Sequence, residues 1–113
     1  MLNYLDGYDR KEVTLRAEEN IAKGMPVSMS SDYTVKASET DDSFAGICIH
    51  SDSGSAAVLL KGFVKVPYTG TAPVHGFNKL AANGNGGVKT ATDGREVLVV
   101  SVDTTASVCG IIL

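Results

Sequence analysis

Apolar and polar residues alternate along most of this chain with a period of two, which is the spacing of β-strands. Val13, Leu15 and Ala17, for example, alternate with charged and hydroxyl-bearing residues, which predicts a strand with one buried and one solvated face. Short apolar runs follow, separated by polar turns that contain glycine, asparagine or aspartate. About ten strands are predicted in this way, and no window favours a helix of three turns. The sequence therefore predicts an all-β fold, a small β-barrel or sandwich.

The pattern occurs twice. Shifted by 52 positions, the segment that opens at Gly24 matches the segment that opens at Gly76. The two pseudo-repeated β-units are predicted at about residues 24–67 and 76–113, with residues 68–73 as the joint between them. A unit of about forty residues is too small to hold a stable core alone. The pattern leaves open whether the units form one barrel or two subdomains, and we favour one barrel.

The longest candidate strand, residues 56–67, carries Gly62 at its middle. Glycine inside a strand pattern is typical of a bulge or a sharp bend, by which a strand passes from one sheet or barrel side to the next. We therefore predict a change of direction at this residue.

Length and charge limit the classes of function. The 113 residues are predicted to form a single β domain over 12–113, preceded by an extended arm over 1–11. Ten basic and thirteen acidic residues give a net charge of −3 and are scattered, which argues against nucleic-acid binding and against an anionic membrane surface. No apolar stretch approaches the ~20 residues of a spanning helix, and no secretory signal is recognised. We expect a soluble protein.

Chemistry-bearing residues form no convincing reaction centre. The two histidines lack a ligand or catalytic partner at a suitable spacing, and the acidic loop residues lack the donor spacing of a calcium loop. A glycine-rich stretch lacks the context of a phosphate cradle and is interpreted as a hairpin turn. We expect no enzyme activity, no metal and no cofactor. The residues considered are His50, His75, Asp41, Asp42, Asp52, Gly84, Gly86 and Gly87.

The two cysteines, Cys48 and Cys109, each lie inside an apolar run. A free thiol in such a run behaves as a small hydrophobic side chain. We predict that both are reduced and buried, while the sequence leaves open whether they touch.

Candidate binding surfaces are the arm and one connection. The arm carries four apolar side chains among polar ones, Leu2, Tyr4, Leu5 and Tyr8. It is too irregular for a core strand, so it fits either an extended segment that lies along a partner or a strap that closes the barrel end of its own domain. The connection between Tyr68 and Phe77 is apolar without strand periodicity, and these two aromatic residues are its candidate contacts.

The order of these elements resembles the small capsid cement, or head decoration, proteins of tailed phages and prophages. The resemblance covers residue 12 to the end of the chain and rests on the order of weak patterns. Members of that family often carry Gly-Asp-Pro-Val where this chain has Gly24-Met25-Pro26-Val27, so the acidic position is lost. The matching segments are Glu12 to Ala17, Ala22 to Val27, Phe44 to Ile49, Val58 to Pro67, Gly76 to Leu80, a Gly-rich turn, Val88 to Ala91, and two closing strands that end at Leu113.

The resemblance implies a β-barrel-like fold without catalytic residues. It implies binding to the outer surface of the expanded head, at junctions of the major capsid protein and often as a homotrimer, by a protein made in the cytoplasm of the host bacterium. The proposed capsid contacts are Leu2, Tyr4, Leu5, Tyr8, Tyr68 and Phe77. Two other classes stay open, a tail- or fibre-associated structural module and a small-ligand or carbohydrate-binding β-barrel. A barrel of the second kind would need converging aromatic walls, and the seven aromatic residues are spread along the chain.

Overall fold

The computed structural model describes residues 11–113, and within this range the protein consists of β-strands and connecting turns, without a helix. The prediction of an all-β barrel fold is confirmed. The ten strands are β1 (Lys11–Ala17), β2 (Pro26–Ser31), β3 (Thr34–Ala37), β4 (Gly46–Asp52), β5 (Ser55–Lys61), β6 (Phe63–Pro67), β7 (Gly76–Ala82), β8 (Val88–Thr90), β9 (Arg95–Asp103) and β10 (Val108–Ile112).

The first five strands close into a barrel in the order β1-β3-β2-β4-β5. Strand β1 pairs along most of its length with β5 and closes the barrel through a short parallel pairing with β3, in which Arg16 lies opposite Thr34 and Ala17 opposite Val35. Side chains that alternate inward fill the interior. The buried members are Ile21, Val27, Val35, Cys48, Ala56 and Val58.

The last five strands form a second sheet in the order β6-β10-β9-β7-β8. Its two edge strands, β6 and β8, approach each other at one point, the parallel bridge between Tyr68 and Val88. The expectation that both halves share one barrel is therefore wrong, because the first half closes its barrel with its own strands.

The second sheet repeats the first barrel strand for strand. A shift of 51 residues carries Ala17 onto Tyr68, and a shift of 53 carries its partner Val35 onto Val88, so the lone bridge corresponds to the closing pair of the barrel. The hydrogen bonds around it also correspond. Ala17 N–H donates to Gly54 O at 3.0 Å, and Tyr68 N–H donates to the oxygen of the equivalent residue, Ser107, at 2.9 Å.

One hydrogen bond of the closure has no counterpart in the second half. In the barrel, Arg16 N–H donates to Tyr33 O at 2.8 Å. The residue equivalent to Arg16 is Pro67, which has no backbone N–H to donate. The second unit therefore repeats the topology but closes at a single bridge.

Gly62 is the point at which the chain leaves the barrel and enters the second sheet. It lies between β5 and β6 with a φ of 125°, a conformation that residues with a Cβ rarely adopt. Its carbonyl accepts a 3.0 Å hydrogen bond from the Leu113 N–H. The predicted bend is confirmed, and the sheets divide at Gly62, whereas the sequence repeat placed β6 in the first unit and the joint at residues 68–73.

The second sheet completes its core with side chains from the first half. Phe44 and Ile47 are buried in the same apolar cluster as Leu80, Val97 and Ile111. Each fully buried side chain of this size contributes about 1.5–3 kcal/mol relative to an exposed one. The two units are therefore joined by a shared core as well as by the covalent chain.

The loop between β3 and β4 also crosses to the second sheet. Asp41 N–H donates to Ala82 O, and Ala82 N–H donates to Asp42 O, each at 2.9 Å. The Asp41 carboxylate forms an ion pair with Lys89, and Thr40 Oγ1 donates to Asn83 O at 3.3 Å. This loop acts as a short added strand along β7.

Arg95, at the start of β9, binds the first half in return. Its guanidinium lies over the Phe44 ring, 5.9 Å from the centroid, and donates to the backbone oxygens of Ala45 and Leu60, the latter at 3.1 Å. Partial burial lowers the pKa of Arg95 from its usual value.

We expect Gly62→Val to lower the free energy of unfolding by about 1–3 kcal/mol, because valine would be held at a positive φ. Urea unfolding measures this difference. Lys61→Val introduces the same side chain at the exposed neighbouring position and should change stability by less than about 0.5 kcal/mol. Equal stability of the two variants would show that the φ of Gly62 imposes no constraint.

We expect Arg95→Ala to lower the free energy of unfolding by about 1.5–3 kcal/mol, because it removes charged donors from backbone oxygens and uncovers Phe44. The control is Arg16→Ala, since Arg16 is an exposed arginine and its loss should cost little. Comparable losses in both variants, measured by thermal or urea unfolding, would contradict a role for Arg95 in joining the units.

Candidate functional site

The residues considered for metal or acid–base chemistry have structural roles or are exposed. Asp41 pairs with Lys89, and the Asp42 carboxylate accepts the Glu39 N–H at 3.0 Å. His50 lies 3.7 Å from the Asp52 carboxylate, on the surface. Between Lys11 and Leu113, no three His, Cys, Asp or Glu side chains are grouped so that they could hold a metal ion.

The glycine-rich stretch 84–87 is the turn between β7 and β8, as predicted. Backbone N–H groups of this turn are already bound within the protein, since the Asn83 side-chain oxygen accepts hydrogen bonds from Asn85 N–H and Gly87 N–H at 2.7 and 3.0 Å. The Asn83 side-chain nitrogen donates to Thr69 Oγ1 at 3.2 Å. These amides therefore bind a neighbouring side chain.

Both cysteines are free and fully buried, so the prediction of reduced, buried thiols is confirmed. Cys48 belongs to the barrel interior and Cys109 to the core of the second sheet, so they lie in separate clusters. Burial raises the pKa of each thiol above its ordinary value, an effect that a backbone hydrogen bond opposes in part. The thiols therefore serve as small core side chains.

Tyr68 is a core residue. Only 7% of its surface is exposed, and it packs in the core of the second sheet, beside the bridge to Val88. This corrects the expectation that Tyr68 contacts a partner. The sequence suggested a surface because the connection is apolar. At Tyr68 the apolar side chain is instead buried where the second sheet closes.

Phe77 does lie on the surface. It is 71% exposed, and Val74, three residues earlier, is 66% exposed. The turn that carries them is fixed by Asn78, whose side-chain nitrogen donates to Val74 O at 2.7 Å and to Gly76 O at 3.0 Å. Its side-chain oxygen accepts the Val74 N–H at 3.3 Å. Two large apolar side chains are thus presented to solvent by a turn of defined geometry, which we call the 74–78 turn.

A second apolar surface lies at one end of the barrel, and we call it the barrel mouth. It is an open groove of about 860 Å³ between the start of β1, the β2–β3 hairpin and the end of β5. Tyr33 on its rim is 78% exposed, and Leu60 is 36% exposed. The lining residues are Val13, Leu15, Met29, Ser30, Ser31, Asp32, Tyr33, Ala45 and Leu60.

The structure divides the six predicted contact residues into three groups. Phe77 is exposed, Tyr68 is buried, and the arm residues Leu2, Tyr4, Leu5 and Tyr8 lie outside the described residues.

The sequence analysis missed the barrel mouth, whereas Val74 lies in the connection between Tyr68 and Phe77 that it named as a candidate surface. Val13 and Leu15 were identified as inward-facing strand residues, and they do contact the core. Only the topology shows that the groove beside them lies between β1, the β2–β3 hairpin and β5. Asn78 has a sequence signal, because asparagine just after an apolar turn frequently binds nearby backbone groups.

Comparisons with known proteins identify no family, since no family model and no curated protein matches the chain. The part of the chain that the structure describes contains no helix long and apolar enough to cross a membrane.

We expect both thiols of the native protein to resist alkylation by iodoacetamide at pH 8.5, where a free thiol is about half ionised. In guanidinium chloride both should react as free thiols do. Because the native thiols keep their protons, the unfolded state binds fewer protons above this pH, so the free energy of unfolding should fall as the pH rises past about 8.5. Rapid labelling of either cysteine in the native protein would contradict this assignment.

Proposed function

We propose that this protein is a non-enzymatic structural protein of a virion, a decoration or cement protein that binds the outer surface of an expanded phage head. The observation that carries the proposal is the 74–78 turn, where Phe77 and Val74 are exposed and clamped by Asn78. Exposed aromatic and aliphatic side chains in a fixed geometry are typical anchors of protein–protein contacts. The order of sequence elements that resembles the decoration family supplies the class of partner.

The energetics of such a contact suit a repeated surface. Burial of one aromatic side chain contributes about 1.5–3 kcal/mol, which is too little for stable attachment through a single turn. Several copies that are joined on one capsid gain strength through avidity. We therefore propose that the partner is the major capsid protein and that the protein binds it as a homotrimer.

The fold supports this role by its connectivity. The second sheet carries the 74–78 turn on β7, and β7 is flanked by β8 and β9 and by the crossing loop at residues 41–42. A contact residue on such a strand loses little conformational freedom on binding, so less of the interaction energy is spent on ordering.

The test is co-sedimentation of the purified protein with expanded, undecorated heads of the phage or prophage that encodes it, with unexpanded procapsids as the negative control. We expect saturable binding to expanded heads, and we expect Phe77→Ser to weaken it about tenfold or more, equivalent to about 1.4 kcal/mol. Tyr33→Ser is the matched control, because Tyr33 is an equally exposed aromatic residue on another surface.

The outcomes separate the open classes of function. Absence of binding by the wild-type protein to expanded heads would overturn the proposal, and binding to purified tails would favour the tail-associated module. Head binding that is unchanged by Phe77→Ser would retain the decoration role but remove the 74–78 turn as its contact surface.

A further inference from the structure

The turn between β7 and β8 contains two asparagines, and a glycine follows each of them. The pairs are Asn83-Gly84 and Asn85-Gly86, and no other asparagine in the sequence precedes a glycine. Asparagine is a chemically labile residue. It is most labile before glycine, where no side chain hinders the approach of the next backbone nitrogen to the amide carbon. Because the two pairs share this local chemistry, a difference in their reactivity in the folded protein must come from the structure.

The structure holds Asn83 by its side chain and by its backbone. Its side-chain oxygen accepts the N–H groups of Asn85 and Gly87 at 2.7 and 3.0 Å, and its side-chain nitrogen donates to Thr69 Oγ1 at 3.2 Å. Its backbone N–H donates to Gly87 O at 3.0 Å, and its carbonyl accepts a 3.3 Å hydrogen bond from Thr40 Oγ1. Only 9% of Asn83 is exposed. The amide carbon of Asn83 can therefore meet the next backbone nitrogen only after several hydrogen bonds break.

Asn85, two residues later, lies at the exposed tip of the turn. Gly86 after it has a φ of 87°, and a Cβ built on Gly86 would make an ordinary contact of 3.6 Å with Met25 Cγ. A Cβ built on Gly84 would instead overlap Thr40 Oγ1, because the crossing loop packs against that residue. Solvent therefore reaches the Asn85 side chain, whereas Asn83 and the glycine after it are packed inside the protein.

We propose that Asn85 is a site of spontaneous deamidation and that its isoaspartate product loosens the closure of the second sheet. The fold protects Asn83 from the same reaction. This modification needs only water and solvent base, and it is independent of the proposed function.

The reaction uses the backbone nitrogen of Gly86 as the nucleophile. This nitrogen loses its proton to solvent base and forms a bond to Cγ of Asn85, the bond from Cγ to Nδ2 breaks, and the leaving nitrogen takes up protons from water to depart as ammonia. Water then opens the resulting succinimide ring. Opening at Cγ gives aspartate, and opening at the backbone carbonyl carbon gives isoaspartate. Both products carry a carboxylate where the asparagine was neutral.

The isoaspartate product lengthens the main chain of the turn. Its backbone passes through Cβ and Cγ, which adds one atom between the N–H of residue 85 and the N–H of Gly87. Both N–H groups bind the same acceptor, the side-chain oxygen of Asn83, so the added atom disrupts their paired geometry. The aspartate product keeps the original chain length and both hydrogen bonds.

Disruption of these hydrogen bonds affects the closure of the second sheet through Asn83. The same side chain binds Thr69, and Thr69 N–H donates to Val88 O at 3.0 Å, beside the single bridge between Tyr68 and Val88. An Asn83 side chain that is no longer held by the turn loses its fixed position against Thr69. The isoaspartate form therefore opens at this closure more readily than the unmodified protein.

The first test compares the two asparagines within one molecule. The full chain is incubated at mildly alkaline pH, native and in guanidinium chloride, and fragment ions in peptide mass spectrometry assign the modified residue. We expect Asn85 to convert about tenfold or more faster than Asn83 in the native protein, because Asn83 reacts only after local opening. In guanidinium chloride the two should convert at similar rates. Equal rates in the native protein, or a difference that persists after unfolding, would overturn the assignment.

The second test measures amide hydrogen exchange at Thr69. It compares the unmodified protein, the isoaspartate form separated by chromatography, and Asn85→Asp. The last is the matched control, because it carries the same added charge on a backbone of the original length. We expect exchange at Thr69 to be about tenfold faster in the isoaspartate form, since the closure opens more often, and unchanged in Asn85→Asp. Equal exchange in the isoaspartate form and in Asn85→Asp would overturn the link to the closure.

Discussion

The contact between Phe44 and Arg95 is the interaction on which the arrangement of the two units depends. Phe44 leaves the first unit to fill the core of the second, and Arg95 covers its ring while binding backbone oxygens of the first unit. This contact combines apolar burial with directional hydrogen bonds. The ring fills space in the core, and the guanidinium fixes the orientation of the two units relative to each other. The two units can therefore be neither separated nor rotated without exposing a large aromatic side chain.

The same barrel topology closes to different extents in the two units because of a few residues. Arg16 donates a backbone hydrogen bond across the barrel seam, and Pro67 at the equivalent position cannot. Beside the single bridge, the Asn83 side chain donates to Thr69 Oγ1. The crossing loop adds its backbone pairs at a different place, at Ala82 of β7, where it covers a strand end that β9 does not reach.

Strand positions, turn residues and the bend at Gly62 could be predicted from the sequence because each depends on local chemistry. The alternation of Val13 and Leu15 places side chains on faces, and glycine permits the φ at residue 62. The repeat was visible, but its boundary was not, since β1 and β6 match in pairing and hardly in sequence. The burial of Tyr68 depends on contacts between residues distant in the chain. No local pattern specifies such contacts.

The unequal lengths of the β3–β4 and β8–β9 connections give the duplicated chain a direction. The longer connection, residues 38–45, reaches the second sheet and binds Ala82 of β7. The shorter one, residues 91–94, closes on itself through the hydrogen bond from Gly94 N–H to Ala91 O. The two units share one topology but are therefore not interchangeable, because the first supplies the covering loop and the second receives it.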